Sequence, residues 1–292
     1  MNLGRVITAM VTPFDEQLRV DYKALENLIE HLLATGTDTL LVTGTTGESP
    51  TLSDEEKLQL FKACKDIAGS RAKIMAGTGG NSTLHSIELS KKAEKIGVDS
   101  LLLVSPYYNK PTQEGLYQHF KSIAQAVDIP VVLYNVPGRT AVTIEPETLA
   151  RLSQISNVVA VKEAGGNLDK TSQTRVLAPN LTIYSGDDSL TLPMLALGAK
   201  GVISVASHIV GNDIREMIVS FEKGNTKKAE EIHLKLFNLF KSLFVVTNPI
   251  PVKAALNMIG VQVGNLRLPL TMADDETLHT LKKVLKELDI IS

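Results

Sequence analysis

The sequence predicts an α/β fold, a closed (β/α)8 barrel that carries a C-terminal helical extension. Short apolar runs rich in β-branched residues recur along the chain, and helical periodicity fills the stretches between them. Such an alternation favours a parallel sheet covered by helices, and eight repeats favour its closure into a barrel. An open doubly wound sheet is the structural alternative, but Thr12, Pro13 and Phe14 stand where its glycine-rich phosphate loop would follow the first run.

Each predicted strand is a short run of this kind, because strands buried on both faces read as continuous Val, Ile and Leu. The eight runs lie at residues 6–11, 39–43, 73–77, 100–104, 130–134, 158–162, 181–185 and 201–205. Periodicity, often preceded by a Ser, Thr or Asp able to cap the first turn, predicts helices at residues 22–34, 54–67, 84–96, 113–126 and 146–152. This pattern is typical of a TIM barrel.

From residue 224 onward the alternation of strand and helix stops. Helical periodicity continues without strands at residues 226–246, 251–258 and 274–288. We therefore expect two units, a catalytic barrel over residues 1–223 and a helical extension over residues 224–292 that packs on the barrel.

Charge and cysteine usage limit the classes of partner. The chain has a net charge of −2 and no basic cluster or tail, which argues against nucleic acid and anionic membranes as partners. The sequence has neither a signal-peptide pattern nor an apolar stretch long enough to span a bilayer. Cys64 is the only cysteine, so a reducing compartment fits. We expect a cytoplasmic protein that binds small molecules or copies of itself.

Lys162 closes the sixth predicted strand, at the end of the barrel where active sites lie. A charged ammonium inside a packed barrel is costly unless it is paired, so burial favours the neutral amine. A neutral, desolvated lysine can attack a carbonyl group and form a Schiff base. Taken alone, however, a lysine here more often reaches solvent or pairs with its neighbour, which is Glu163.

Schiff-base chemistry also needs a proton donor and an anchor for the substrate, and the sequence offers both. Tyr134 ends the fifth predicted strand, where its phenol could exchange protons as a carbinolamine becomes an imine. The turn at residues 44–48 offers backbone amides and the hydroxyls of Thr45 and Thr46, which together suit a carboxylate. A core tyrosine and a plain turn with a helix cap are the alternative interpretations.

Other polar residues bear on the substrate. Arg139 follows the fifth strand, where a guanidinium could bind a second carboxylate, although a solvated surface arginine is as frequent. Tyr107 and Tyr108 form an aromatic pair that is more typical of an interface than of a reactive centre. Asp187 and Asp188 follow the seventh strand and would repel a phosphate. We therefore expect an unphosphorylated substrate. The histidines show no zinc-binding spacing, and we expect neither a metal nor a cofactor.

Five motifs, taken together, resemble the dihydrodipicolinate synthases, a family of pyruvate-dependent class I aldolases. They are GTTGE at residues 44–48, SPYYNKP at 105–111, YNVPGRT at 134–140, VKEA at 161–164 and SGDD at 185–188. The resemblance covers the whole chain in order and includes GVISV at residues 201–205 and TNPIPVKAAL at residues 247–256.

The resemblance implies synthesis of 4-hydroxy-tetrahydrodipicolinate from pyruvate and L-aspartate 4-semialdehyde, a step of diaminopimelate and lysine biosynthesis. Pyruvate would form its Schiff base on Lys162, with its carboxylate held at Thr45 and Thr46. Tyr134 matches the family's proton donor, and Thr45 and Tyr108 match its relay to solvent. Because the relay tyrosine comes from a neighbouring subunit in this family, the resemblance implies at least a homodimer, and a dimer-of-dimers homotetramer as in most members.

Further matches separate the synthases from related enzymes. Arg139 matches the residue that holds the carboxylate of the aldehyde substrate, and Gly186 and Ile203 match backbone positions that line the pocket. Sialic-acid lyases carry serine in place of Thr45 and lack the arginine, so the synthase ranks above these and the 2-keto-3-deoxy sugar-acid lyases. A catalytically silent 2-oxo-acid sensor is a further alternative, which the presence of every chemical residue disfavours.

Some members of the family are inhibited by lysine at a site between subunits. This chain departs from the sensitive pattern, because Asp54 and Lys57 replace two histidines and His85 replaces a glutamate. The loss of that carboxylate and the gain of a lysine cation should repel a dibasic ligand. We therefore expect weak or absent inhibition by lysine, although other positions of the site still match, namely Ser49, Asn81 and Tyr107.

Overall fold

The computed structural model describes residues 3–292 and contains a closed barrel of eight parallel strands. They are β1 (Val6–Ala9), β2 (Thr39–Val42), β3 (Lys73–Gly77), β4 (Ser100–Val104), β5 (Val131–Asn135), β6 (Val158–Glu163), β7 (Thr182–Ser185) and β8 (Gly201–Ser204). The strands pair in chain order, and β8 pairs with β1 to close the barrel. The predicted TIM barrel is confirmed, because each predicted run forms one strand of it.

Helices follow the strands and cover the outside of the barrel. They are α1 (Tyr22–Ala34), α2 (Asp54–Ala68), α3 (Thr83–Ile96), α4 (Gln113–Ala124), α5 (Pro137–Thr140), α6 (Pro146–Leu152), α7 (Leu168–Leu177), α8 (Thr191–Ala196) and α9 (Ser207–Glu222). The start of α2 is fixed by a capping box, in which Ser53 and Glu56 satisfy one another's backbone amides. The single turn of α5 carries Arg139, which the sequence placed in a loop, because one turn is too short to show helical periodicity.

The strands divide their side chains between two cores. Residues at alternate positions share a face, so one set packs between sheet and helices while the other fills the barrel interior. The interior cluster includes Leu41, Met75, Val132, Ala160 and Ile203. At the carboxyl end of a strand, the residue two positions after an interior residue therefore points into the mouth of the barrel. In this way polar side chains from separate strands come together there.

The C-terminal extension consists of α10 (Thr226–Ser242), α11 (Ile250–Met258) and α12 (Asp275–Glu287). It packs on the barrel through contacts of α10 and α11 with α9. The first helix ends four residues earlier than predicted, because the chain turns after Ser242 on its way to Pro249. The boundary that we predict after residue 223 lies between α9 and α10 and stays a prediction. None of the helices within residues 3–292 is both long and apolar enough to cross a membrane.

Candidate active site

Lys162 and Tyr134 meet inside the mouth of the barrel. They are Cα partners across the β5–β6 ladder, and only 5% of each residue is exposed. The Nζ atom of Lys162 lies 4.3 Å from the centroid of the Tyr134 ring. Both side chains point inward because each follows an interior position by two residues, Ala160 and Val132. The fold thus holds a buried amine against a phenol, which is an arrangement suited to nucleophilic attack with proton transfer.

Glu163 does not pair with Lys162, since neighbouring residues of a strand point to opposite faces. Its carboxylate accepts hydrogen bonds from Asn135 Nδ2 at 2.9 Å and from the Gly165 amide at 2.6 Å. Burial raises the pKa of Glu163, and these two donors oppose the shift. The sequence-based alternative of a Lys162–Glu163 ion pair is therefore wrong.

A second tyrosine flanks Lys162 but is turned away from the mouth. Tyr184 is the Cα partner of Lys162 across the β6–β7 ladder. Its hydroxyl donates a hydrogen bond of 3.0 Å to the carbonyl oxygen of Gly4, and burial raises its pKa to about 12. Tyr184 therefore fills the barrel interior, and Tyr134 supplies the phenol on the side of the cavity.

The turn after β2 comes very close to β3. A Cβ atom at Gly77 would lie 2.5 Å from the carbonyl oxygen of Thr43, so only glycine allows this approach. Within the turn, the amides of Gly47 and Glu48 donate to the carbonyl oxygens of Gly44 and Thr45. These bonds leave the amides and hydroxyls of Thr45 and Thr46 as the donors that the turn can present to an anion.

A cavity of about 380 Å³ opens at this end of the barrel. Three of the predicted site residues line it, namely Thr45, Tyr134 and Arg139. Its outer part is lined by Ser49, Lys57, Asn81, His85 and Tyr107, so the cavity extends from the barrel mouth to the second and third helices.

Four further predicted residues are not among those that line this cavity. Thr46 and Ile203 are buried, and Lys162 stands beside Tyr134 as described. Gly186 leaves room for the lysine, since a Cβ atom there would lie 3.1 Å from Lys162 Cε and 2.7 Å from the Cβ atom of Ala164.

Tyr108 is the one predicted site residue that the fold of the single chain does not bring to the others. It is 91% exposed and adopts a left-handed backbone conformation with φ of 73°, which only a small fraction of non-glycine residues adopt. An aromatic side chain held out into solvent in this way is suited to contact with another molecule.

Asp188 occupies the position where many barrels of this class bind phosphate, at the ends of the seventh and eighth strands. Its fully buried carboxylate accepts hydrogen bonds of 3.0 Å from the amides of Val205 and Ala206 and a further one from the Ser204 hydroxyl. The donors that could hold a phosphate are therefore already bonded to the carboxylate of Asp188.

Within residues 3–292, no group of three or more His, Cys, Asp and Glu side chains is arranged to hold a metal ion.

The C-terminal extension reaches the glycine turn through residues that sequence reasoning did not single out. Asn248 Nδ2 donates to Thr46 Oγ1 at 2.9 Å, and Lys253 Nζ lies 2.8 Å from Glu48 Oε1. The ion pair is buried, with 1% of each side chain exposed, and burial lowers the pKa of Lys253 to about 8 against the opposing effect of Glu48. Both residues lie in the motif at residues 247–256, but the motif does not indicate which residues they contact.

Comparison with known proteins extends over the whole chain. The Dihydrodipicolinate synthetase family matches residues 2–288. A 4-hydroxy-tetrahydrodipicolinate synthase of Cyanothece sp. is 56% identical over 292 residues, which cover 99% of each chain. One from Dehalococcoides mccartyi is 58% identical over 285 residues, 97% of this chain and 96% of the other. A dihydrodipicolinate synthase crystal structure from Bacillus anthracis has a TM-score of 0.96 at 48% identity, covering 98% of both chains. The chain therefore belongs to the dihydrodipicolinate synthetase family.

Proposed function

We propose that this chain is a 4-hydroxy-tetrahydrodipicolinate synthase, which condenses pyruvate with L-aspartate 4-semialdehyde in diaminopimelate and lysine biosynthesis. The observation that carries the proposal is the buried amine of Lys162, 4.3 Å from the ring centroid of Tyr134 at the mouth of the barrel. The relatives of the same length that carry this name, at 56% and 58% identity, support the choice of reaction.

The first step forms a Schiff base on the lysine. The amine of Lys162 attacks C2 of pyruvate, and the carbinolamine loses water as Tyr134 supplies a proton to the departing hydroxyl. The pyruvate carboxylate is held by the amides and hydroxyls of Thr45 and Thr46. This binding orients C2 toward the amine, which is the contribution that positioning makes to the rate.

The second step makes the carbon–carbon bond. The iminium acidifies the methyl protons, and the loss of one gives an enamine whose carbon attacks the aldehyde of L-aspartate 4-semialdehyde. Arg139, which lines the cavity, binds the carboxylate of this second substrate. The amine of the condensed product then displaces Lys162 and closes the ring, so the enzyme regains its free lysine and needs neither a metal nor a cofactor.

The exposed Tyr108 supports a site completed between subunits. With 91% of the residue in solvent, it serves best as a group that enters the cavity of a neighbouring copy, where it passes protons between Thr45 and solvent. We infer a homo-oligomer of at least two subunits, and we propose that its full assembly is a tetramer arranged as a dimer of dimers. A cytoplasmic location fits the buried free thiol of Cys64.

Reductive trapping tests the chemistry directly. The protein is incubated with pyruvate and borohydride, its intact mass is measured, and the modified peptide is mapped. We expect one stable adduct per subunit, on Lys162. The absence of an adduct would favour a silent 2-oxo-acid sensor instead.

Lys253 provides an internal control for the mapping. It is buried, as Lys162 is, and burial lowers its pKa, but its Nζ atom is bound to Glu48 and to the carbonyl oxygen of Asn265. A label on Lys253 would show that a low pKa alone selects the nucleophile, contrary to the proposal.

Turnover with L-aspartate 4-semialdehyde, compared with turnover with N-acetylneuraminate, then separates the synthase from the sialic-acid lyases.

A further inference from the structure

Asn248 connects the C-terminal extension to one residue of each proposed carboxylate site, Thr46 for pyruvate and Arg139 for the aldehyde substrate. Its side-chain amide donates to the Thr46 hydroxyl at 2.9 Å, and its backbone carbonyl accepts from Arg139 Nη2 at 3.4 Å. The residue is 4% exposed, and it precedes α11, more than 200 positions from Thr46 in the sequence. Among residues 3–292, no other residue forms hydrogen bonds with both Thr46 and Arg139.

The direction of the hydrogen bond to Thr46 has a chemical consequence. An amide NH2 group can only donate, so the Thr46 oxygen accepts in this bond. The O–H group of Thr46 therefore stays available to donate a hydrogen bond to another acceptor. A hydroxyl that has accepted one hydrogen bond is polarised toward giving its proton to an anion. If an acceptor stood in place of the amide, Thr46 would donate to that acceptor and turn a lone pair toward the substrate.

We propose that Asn248 is a positioning residue of the pyruvate site, which keeps the Thr46 hydroxyl as a donor to the carboxylate of the 2-oxo acid. This inference rests on the proposed function, because it deepens the assignment of Thr46. Asn248 acts through Thr46 and does not itself touch the reacting atoms. The extension thereby contributes to substrate affinity as well as to packing.

The test measures the pyruvate concentration that gives half-maximal adduct formation under borohydride, together with steady-state kcat and KM. For Asn248→Ala we expect this concentration and the pyruvate KM to rise about tenfold, since a hydrogen bond to a charged group is weakened. The kcat value and the KM for L-aspartate 4-semialdehyde should stay within about twofold, because the backbone carbonyl that accepts from Arg139 remains. Asn248→Asp should have the larger effect, because the Thr46 hydroxyl would donate its hydrogen bond to the new carboxylate and not to the substrate.

A double-mutant cycle separates positioning from a general structural role. In a Thr46→Val background, Asn248→Ala should change the pyruvate concentration dependence by less than about twofold, because the group it acts through is gone. The matched control is Asn257→Ala, which removes hydrogen bonds to the 263–264 segment of the same extension and should leave the pyruvate dependence unchanged.

Two results would overturn the inference. One is an Asn248→Ala effect that persists in full in the Thr46→Val background, and the other is an equal rise in the KM values of both substrates. Failure of the proposed function would look different, because the unmodified protein would then form no pyruvate adduct or would show no turnover with L-aspartate 4-semialdehyde.

Discussion

Tyr134 and Lys162 stand directly opposite each other across the β5–β6 ladder, and the Lys162 amine lies 4.3 Å from the centre of the Tyr134 ring. Both are buried, and both follow interior positions of their strands by two residues. The register of the two strands therefore places the phenol ring beside the amine.

Tyr134→Phe should reduce kcat about 100-fold or more, because it removes a proton donor from the reaction and leaves the ring in place. The pyruvate concentration needed for trapping should change little, since the carboxylate site is intact. Steady-state kinetics and borohydride trapping measure the two quantities. The control is Tyr117→Phe, a half-buried tyrosine on α4 that stacks on Arg151, which should have normal activity. An unchanged rate for Tyr134→Phe would remove Tyr134 from its role.

Lys253→Met should lower the free energy of unfolding by about 3–5 kcal/mol, because it leaves the buried carboxylate of Glu48 without its partner. Replacing both members, as in Glu48→Gln with Lys253→Met, should recover part of this loss because no unpaired charge remains buried. Chemical denaturation at one fixed protein concentration measures the difference. Lys62→Met is the control, since the exposed Lys62–Asp66 pair should contribute little. Equal losses for Lys253→Met and Lys62→Met would contradict the account.

Asp188→Ala should lower the melting temperature and make it depend on phosphate. The change leaves two backbone amides and the Ser204 hydroxyl without their acceptor, at a cost of about 1–3 kcal/mol for each unsatisfied group. Inorganic phosphate can then occupy the vacated position and stabilise the variant. The control is Asp187→Ala, because the hydrogen bonds of the Asp187 side chain within the described residues 3–292 all go to Ser189. If phosphate shifts the melting temperatures of both variants equally, the internal carboxylate does not exclude it.

Acid should destabilise the fold between about pH 6.5 and pH 4 through two buried histidines. Burial lowers the pKa of His208 and of His119 to about 4, while an unfolded chain takes up those protons near pH 6.5. The unfolded state therefore binds more protons in this window, and stability present above pH 6.5 is lost as the pH falls.

Each histidine contributes up to about 1.4 kcal/mol per pH unit to this slope. His119→Gln should remove one contribution and flatten the dependence of the unfolding free energy on pH. Urea denaturation series at several pH values measure the slope. A slope that is the same with and without His119 would show that its protonation is not coupled to folding.

Lysine at millimolar concentration should leave turnover nearly unchanged. Asp54 does not line the cavity itself but lies between two basic residues that do, 2.7 Å from His85 Nε2 and 3.8 Å from Lys57 Nζ. No Asp or Glu is among the residues that line the cavity, so its wall offers no carboxylate to the ammonium of a dibasic ligand. The double variant Lys57→His with His85→Glu should gain inhibition, measured as the lysine dependence of the initial rate. Strong inhibition of the unmodified protein by submillimolar lysine would refute the prediction.

Sequence patterns predicted most residues of the candidate site, because a closed barrel brings the carboxyl ends of its strands together at one end. Lys162 and Tyr134 were identified from their positions at the ends of apolar runs, and the glycine turn from its composition. The same reasoning missed the partners of that turn. Asn248 and Lys253 lie about 200 residues away from Thr46 and Glu48, and no local pattern records which residues meet across such a distance.

Local hydrophobic periodicity and the strand–helix alternation were enough to predict the barrel, the order of its strands and the residues at its mouth. The partners of the polar side chains came only from the folded chain: Glu163 with Asn135, Tyr184 with the carbonyl oxygen of Gly4, and Asp188 with the amides after β8. The physical reason is that a hydrogen bond depends on direction and distance between side chains, which only packing of the whole chain fixes.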